Sequence, residues 1–219
     1  MATIWIIGNS TVEDNKPPFR GWGWAIPRHA AEGMIVRNHG LSGRSTRSFR
    51  DEGLFVPVQE GMQAGDLLLI QFGHNDEKED AERHTDPDST YPEFLAWYCD
   101  EAIRRGTQPV LITPVSRRWW LSDTDMLYTH GEYPAAVRKL AAERNIPLVD
   151  LKAASRALYL SLGQEKTAEL FVRIAKGENP DFPEGHDDKT HFNAYGAERI
   201  AELVVDGLRQ DERTRRYVK

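Results

Sequence analysis

The amino-acid sequence predicts an α/β domain with a parallel sheet, and two observations support this. Short β-rich apolar runs alternate along the chain with longer segments of helical periodicity. The third of these runs, residues 67–70 (LLLI), has no polar face, as expected for a strand that helices cover on both sides. Alternation of this kind is typical of βαβ units with right-handed crossovers, in which functional residues follow the carboxyl ends of the strands.

The predicted elements follow one another in the order that such a sheet requires. Strands are predicted at residues 3–7, 35–37, 67–72, 109–113 and 147–149, and helices at residues 24–33, 93–105, 133–144, 153–162 and 194–208. The last helix has the clearest pattern, because apolar residues recur in it at helical spacing and Asn193 precedes it as a candidate N-cap. Gly106 and Gly163 are expected to end the second and fourth helices. Long polar loops are predicted at residues 77–91, 116–131 and 177–187.

The composition fits a single globular domain that covers residues 1–219. Of the residues, 40% are hydrophobic and 28% are charged, and the net charge of −6 disfavours a general nucleic-acid-binding protein. No segment approaches the roughly 20 apolar residues that cross a bilayer, so no membrane partner is expected. The single cysteine, Cys99, excludes an internal disulfide and is expected in the core. The N terminus runs into a predicted strand without a signal-peptide pattern, which favours a cytoplasmic protein.

Three residues in separated segments suggest a hydrolytic triad. Ser10 follows the first strand, and Asp188 and His191 precede the last helix. His191 would accept the proton of the Ser10 hydroxyl, and Asp188 would hold the imidazole in the required tautomer. Each segment alone is a weak signal. Ser10 could lie in an ordinary strand-to-helix turn, and a histidine three residues after an aspartate is common at protein surfaces.

Three further groups could stabilise the negative charge that forms on an ester carbonyl during hydrolysis. They are the backbone N–H groups of Ser10 and Gly43 and the side-chain amide of Asn75, which follow the first three strands. The missing side chain at Gly43 would let the backbone approach a substrate closely. Asn75 could equally form an ordinary turn with Asp76. Their common position after strand ends is the main structural reason to assign these groups to one site.

Four segments of the chain together resemble the sequence blocks of the SGNH (GDSL) hydrolases. The segments are residues 8–11 (GNST), 38–45 (NHGLSGRS), 73–76 (GHND) and 188–191 (DKTH). Ser10, Gly43, Asn75 and His191 take the four positions that give the superfamily its name. Within it, the chain is most similar to the rhamnogalacturonan acetylesterases, through residues 21–23 (GWG), 43–48 (GRSTRS), 52–53 (EG), 72–76 (FGHND) and 191–197 (HFNAYGA).

The resemblance implies a flavodoxin-like three-layer α/β/α fold with a five-stranded parallel sheet. It implies catalysis by Ser10, Asp188 and His191, and an oxyanion hole made by Ser10, Gly43 and Asn75. The implied reaction removes acetyl groups from pectin-derived oligosaccharides through an acyl-serine intermediate, with no cofactor and no metal. One position departs from the family, because Asn9 stands where an aspartate is usual. In the family that aspartate braces the neighbouring loops and is not the proton-transfer base, so activity is expected to survive the exchange.

Five residues are candidates for contacts with the sugar, namely Trp119, Trp120, Arg44, Arg47 and His74, and each has an alternative role. The two tryptophans could stack on a sugar ring or pack within their loop. The two arginines could bind a galacturonate carboxylate or form a structural ion pair with Asp51 or Glu52. The histidine could line the site or support Asn75.

The sequence therefore predicts an intracellular carbohydrate acetylesterase whose substrate is an acetylated rhamnogalacturonan oligosaccharide. Two alternatives stay open. The first is another SGNH esterase, such as an acetylxylan esterase, a lipase or a thioesterase. The second is a catalytically inactive sugar-binding module on the same fold, which Asn9 alone favours. The sequence does not predict the oligomeric state.

Overall fold

A five-stranded parallel sheet forms the centre of the computed structural model, which describes residues 2–219. The strands are β1 (Thr3–Gly8), β2 (Ile35–Asn38), β3 (Leu67–Gln71), β4 (Gln108–Ile112) and β5 (Leu148–Val149). They lie in the order β2-β1-β3-β4-β5, and every neighbouring pair is parallel. This flavodoxin-like order has its switch point between β1 and β3, where a crevice opens beyond the carboxyl ends of the strands. The predicted five-stranded parallel sheet is confirmed.

Helices cover both faces of the sheet and complete the predicted three-layer architecture. They are α1 (Ile26–His29), α2 (Thr46–Asp51), α3 (Val56–Gly61), α4 (Thr90–Arg104), α5 (Tyr133–Glu143), α6 (Leu151–Ala168) and α7 (Ala194–Gln210). Because side chains alternate along a strand, Ile4 and Ile6 belong to the core that includes α7, while Trp5 and Ile7 belong to the core that includes α4 and α5. Among residues 2–219, no helix combines the length and the apolar character that crossing a membrane requires.

The ends of the long helices follow the predicted chemistry. The side chain of Asn193 accepts a hydrogen bond from the N–H of Gly196 (2.9 Å), which caps α7. Gly106 has φ +71° directly after α4. Gly163 has φ +74° and ψ 176°, which are not helical values, so it interrupts α6 where the sequence predicts a helix end, and a second helical segment continues to Ala168. A glycine with positive φ therefore stands at both predicted helix ends.

The predicted helix at residues 24–33 is wrong. Only Ile26–His29 is helical, after a 3-10 turn at Trp22–Trp24. Ala30 has an extended conformation and forms an antiparallel bridge with Val218. Pairing with the C-terminal segment takes the place of a further helical turn, so a tertiary contact overrides the local propensity.

The sequence patterns give no sign of an antiparallel hairpin formed by β6 (Phe171–Ile174) and β7 (His186–Phe192). The β7 sequence, HDDKTHF, is polar at almost every position and lacks the alternation by which strands are predicted. Asp188 and His191 lie on this strand and not in a simple turn before the last helix. The hairpin brings both residues towards the crevice at the switch point of the sheet.

Candidate active site

Ser10 lies in a tight turn directly after β1. The backbone carbonyl of Asn9 accepts hydrogen bonds from the N–H groups of Val12 (3.0 Å) and Glu13 (3.1 Å). The buried side-chain carbonyl of Asn9 accepts from the N–H (3.0 Å) and the hydroxyl (2.9 Å) of Thr11. These four bonds fix the backbone on both sides of Ser10. Asn9 thus braces the turn, which is the role that the family resemblance implies for the aspartate usual at this position.

Ser10, His191 and Asp188 form a continuous hydrogen-bonded row. Oγ of Ser10 lies 2.9 Å from Nε2 of His191, and Nδ1 of His191 lies 2.8 Å from Oδ2 of Asp188. The other oxygen of Asp188 accepts from the N–H groups of Thr190 (2.7 Å) and His191 (2.8 Å), which holds the carboxylate beside the imidazole. An imidazole that donates from Nδ1 to a carboxylate has Nε2 free to accept a proton from the serine.

A second histidine, His186, contacts the same carboxylate. Its Nε2 lies 3.0 Å from Oδ2 of Asp188. Burial by itself would raise the pKa of Asp188, but hydrogen bonds from His191 and His186 outweigh burial and hold the pKa well below its ordinary value. Asp188 is therefore ionised at neutral pH. His186 gives no sequence signal, because it lies in a segment that reads as polar loop.

The segment that carries Gly43 is tied to the Ser10 turn. Nδ2 of Asn15 donates to the carbonyl of Ser10 (3.1 Å), and Oδ1 of Asn15 accepts from the hydroxyl of Ser42 (3.3 Å). Gly43 follows with φ +80°, a conformation that favours glycine. Within residues 2–219, the backbone N–H groups of Ser10 and Gly43 have no hydrogen-bond acceptor. Both are available to a ligand.

Asp76 joins the segments after β2 and β3. Its buried carboxylate accepts hydrogen bonds from the N–H groups of Thr46 (2.9 Å) and Gly73 (2.8 Å) and from the hydroxyl of Thr85 (3.0 Å). Beside it, Nδ2 of Asn75 donates to the carbonyl of Arg44 (3.0 Å). One amide hydrogen of Asn75 is thereby used to hold the segment next to Gly43, and the second stays free to donate.

The sequence profile of the GDSL-like lipase/acylhydrolase family matches residues 6–199. The chain belongs to this family. It is 41% identical over 210 residues to rhamnogalacturonan acetylesterase RhgT of Bacillus subtilis (strain 168), and the alignment covers 94% of this chain and 89% of the relative. It is 34% identical over 210 residues to the probable rhamnogalacturonan acetylesterase YesY of the same organism, with 94% of this chain and 92% of the relative covered.

Solved structures share the fold of this GDSL-family chain. The crystal structure of the Bacillus subtilis protein YxiM aligns with a TM-score of 0.81 at 25% identity, over 95% of this chain and 56% of that one. Axe2, an acetylxylan esterase from Geobacillus stearothermophilus, aligns with a TM-score of 0.63 at 20% identity, over 94% of this chain and 93% of that one. The predicted fold class is thus confirmed.

A cavity of about 660 Å³ opens beside His191 in this GDSL-family site. Ser42 and His191 line it, and so do two aromatic rings, of which Phe19 lies edge-on to the His191 imidazole with ring centroids 6.0 Å apart. A volume of this size holds a small ligand. Charged side chains also line the cavity, namely Glu13, Asp14, Lys16 and Asp181, with Phe182 as the second ring. Among the described residues, no three His, Cys, Asp or Glu side chains are grouped to hold a metal ion.

The contacts of Arg44 and Arg47 with protein groups favour a structural role over their predicted role as carboxylate receptors. Nε and Nη2 of Arg44 donate to one carboxylate oxygen of Glu52 (3.0 and 2.7 Å), which is the ion pair that the sequence allowed as an alternative. Nη1 of Arg47 donates to the carbonyl of Ala81 (3.0 Å), and its guanidinium lies 5.8 Å from the ring centroid of Phe94. Both arginines serve the packing of α2 and neither lines the cavity.

Two further predicted sugar contacts, His74 and Trp120, are withdrawn from solvent to different extents. His74 is buried against the ring of His130 with centroids 4.2 Å apart, and burial lowers the pKa of both histidines well below the ordinary value. The indole nitrogen of Trp120 is buried, and the ring packs against the apolar core. Trp119, in contrast, is 46% exposed. Of the two predicted indole contacts, Trp119 is the more exposed.

Proposed function

We propose that this chain is a serine esterase that removes acetyl groups from rhamnogalacturonan-derived oligosaccharides. The main support for this proposal is the hydrogen-bonded row from Ser10 through His191 to Asp188, beside the free backbone N–H groups of Ser10 and Gly43. Membership of an acylhydrolase family supports ester hydrolysis. The names of the relatives at 41% and 34% identity, both rhamnogalacturonan acetylesterases, suggest the substrate.

Each group has a role in the first half of the proposed reaction. Nε2 of His191 takes the proton of the Ser10 hydroxyl as Oγ attacks the acetyl carbonyl carbon, and Asp188 stabilises the imidazolium. The N–H groups of Ser10 and Gly43 and the free amide hydrogen of Asn75 donate to the resulting oxyanion. When the tetrahedral intermediate collapses, the sugar oxygen leaves with the proton from His191. The products of this half are the deacetylated sugar and acetyl-Ser10.

Water completes the cycle by the same route. His191 removes a proton from a water molecule, the hydroxide oxygen attacks the acetyl carbonyl carbon, and a second tetrahedral intermediate forms in the same oxyanion hole. Its collapse releases acetate, and Ser10 recovers its proton from His191. Every step uses side chains, backbone groups and water.

The cavity favours a short acyl group on a polar substrate. Three carboxylates and one ammonium line it, so a long hydrocarbon chain would have to lie against charged groups. A sugar offers hydroxyls to the carboxylates and ring faces to Phe19 and Phe182. An acetylated oligosaccharide therefore suits the lining better than a lipid ester does.

Acetate release tests the proposed function. The purified protein is incubated with acetylated rhamnogalacturonan oligosaccharides, with acetylated xylo-oligosaccharides and with nitrophenyl acetate and octanoate, each beside the Ser10→Ala variant. We expect release from the rhamnogalacturonan fragments, much less from the xylan fragments, and at least about a thousandfold lower kcat in the variant. Preference for octanoate or for the xylan fragments would overturn the substrate assignment, and binding of the oligosaccharide without any turnover would overturn the assignment as an esterase.

A further inference from the structure

Lys189 and Trp119 form a partly open pair beside the catalytic row. Nζ of Lys189 lies 4.6 Å from the centroid of the Trp119 indole, a cation–π distance. Lys189 is half-buried, and Trp119 is 46% exposed. The indole thus fixes the position of the ammonium and leaves much of its own surface uncovered.

The backbone holds this pair close to His191. The N–H of Arg118 donates to the carbonyl of Lys189 (2.8 Å), and Nη2 of Arg118 donates to the carbonyl of Asp188 (2.9 Å). The loop after β4 is thereby fastened to β7. Because Lys189 lies two positions before His191, their Cα atoms are at most about 7 Å apart. A substrate whose ester reaches Ser10 can therefore place a neighbouring sugar near the Lys189–Trp119 pair.

Lys189 also differs from the arginines on the loops around the site, each of which has a carboxylate partner. Within residues 2–219, Lys189 has no carboxylate within ion-pair distance. A half-buried ammonium with no anionic partner favours the binding of an anion from outside. The arginine pairs are Arg20–Asp14, Arg44–Glu52, Arg117–Glu77 and Arg118–Asp187.

We propose that Lys189 and Trp119 form a subsite for the carboxylate of a uronate unit in the substrate. The inference rests on the proposed function and adds to it the place where the acidic sugar is recognised. The ammonium pairs with the carboxylate, and the exposed part of the indole contacts the apolar face of the sugar ring. The cavity itself is less suited to an anion, because three carboxylates, those of Glu13, Asp14 and Asp181, line it together with Lys16.

Neutralising the substrate carboxylate separates this subsite from general sugar binding. Acetylated rhamnogalacturonan oligosaccharides are compared with the same oligosaccharides after methyl esterification of their uronates, and acetate alone is measured. We expect Lys189→Met to raise KM for the acidic substrate about tenfold, the scale of one charge-assisted contact, and to change KM for the methyl ester far less. Lys189→Arg is expected to keep most of the preference for the acidic substrate. Trp119→Leu should raise KM for both substrates.

Two further lysines provide the controls. Lys139→Met removes one exposed charge from α5, which contributes no residue to the triad, the cavity or the subsite, and is expected to leave both KM values unchanged. Lys16→Met tests the cavity as the other possible place for the carboxylate. An equal effect of Lys189→Met on both substrates, or a selective effect of Lys16→Met alone, would overturn the subsite. If the wild-type protein released no acetate from either substrate but hydrolysed nitrophenyl acetate, the proposed substrate would fail, and the subsite with it.

Discussion

His186 and His191 contact the same oxygen of Asp188, at 3.0 Å and 2.8 Å. The imidazole of His191 lies between the carboxylate and Ser10, and that of His186 packs against the ring of Phe182 in the cavity wall, with ring centroids 4.8 Å apart and the planes tilted by 33°. A catalytic carboxylate that accepts from two imidazoles is held in place more firmly than one that accepts from a single ring, and it shares its negative charge between them. His186 is therefore a positioning residue for the triad.

Replacing His186 by Phe should lower kcat and shift the pH profile. The variant keeps an aromatic ring but removes one hydrogen bond to a buried carboxylate, worth about 1.5 kcal/mol, so kcat should fall about tenfold with little change in KM. Without the His186 donor, Asp188 offers its full charge to His191, so the acid limb of the kcat/KM profile should move to higher pH.

The Gln variant provides the matched comparison for His186. Its side-chain amide can donate to Asp188, so His186→Gln should recover much of kcat and much of the original pH profile. A purely structural role would lower thermal stability without moving the acid limb. If the Phe and Gln variants had the same kcat and the same profile as the wild type, His186 would have no part in positioning the triad.

The turn at Ser10 depends on Asn9 as an acceptor. Asn9→Ala removes two buried hydrogen bonds from Thr11, so we expect a loss of about 1–3 kcal/mol in the free energy of unfolding and a clear fall in kcat. Asn9→Asp keeps both acceptor contacts and should stay active. Denaturant unfolding and steady-state kinetics on the two variants check this. Full activity of Asn9→Ala would show that the turn holds Ser10 without these bonds.

Lys152 gives the stability of the protein a distinctive dependence on pH. Its buried Nζ donates to the hydroxyl of Thr129 (2.7 Å), and burial, assisted by Arg117, lowers its pKa to about 7. Between that value and the ordinary lysine pKa, the unfolded chain binds more protons than the folded one, so the free energy of unfolding rises with pH in this window. Below about pH 7 the folded state bears the full cost of the buried charge.

The variant Lys152→Met tests this dependence. It should be stabilised relative to the wild type at pH 7, and the difference should shrink steadily towards pH 10. Denaturant unfolding at several pH values measures both free energies, with the exposed Lys139→Met as the control for loss of a surface lysine. A difference that does not change with pH would contradict a lowered pKa for Lys152.

The parallel sheet can be predicted from the sequence because most of its strands are short apolar runs. Leu67–Gln71 is buried at every position, and the apolar run at its start predicts a strand covered on both faces. α7 was equally accessible, since its apolar stripe and the Asn193 cap are both local signals. The order of Ser10, Asp188 and His191 along the chain likewise predicts a triad without any knowledge of their contacts.

The hairpin that carries Asp188 and His191 could not be predicted from local sequence patterns. β7 is held by pairing with β6 and by hydrogen bonds to the loop after β4, and none of these long-range contacts leaves a periodic signal in HDDKTHF.

The sequence also could not decide which carboxylate pairs with Arg44. Asp51 and Glu52 are adjacent in sequence, and only the course of the chain at the end of α2 brings Glu52 to the guanidinium.

Trapping the covalent intermediate tests whether Ser10 is the nucleophile. The protein is mixed with an activated acetate ester, quenched in acid within the first turnover and digested, and the peptides are examined by mass spectrometry. We expect a single acetyl group on Ser10, formed at the rate of the first half-reaction and absent in Ser10→Ala. Acetylation of a different residue, or undiminished turnover in Ser10→Ala, would contradict it.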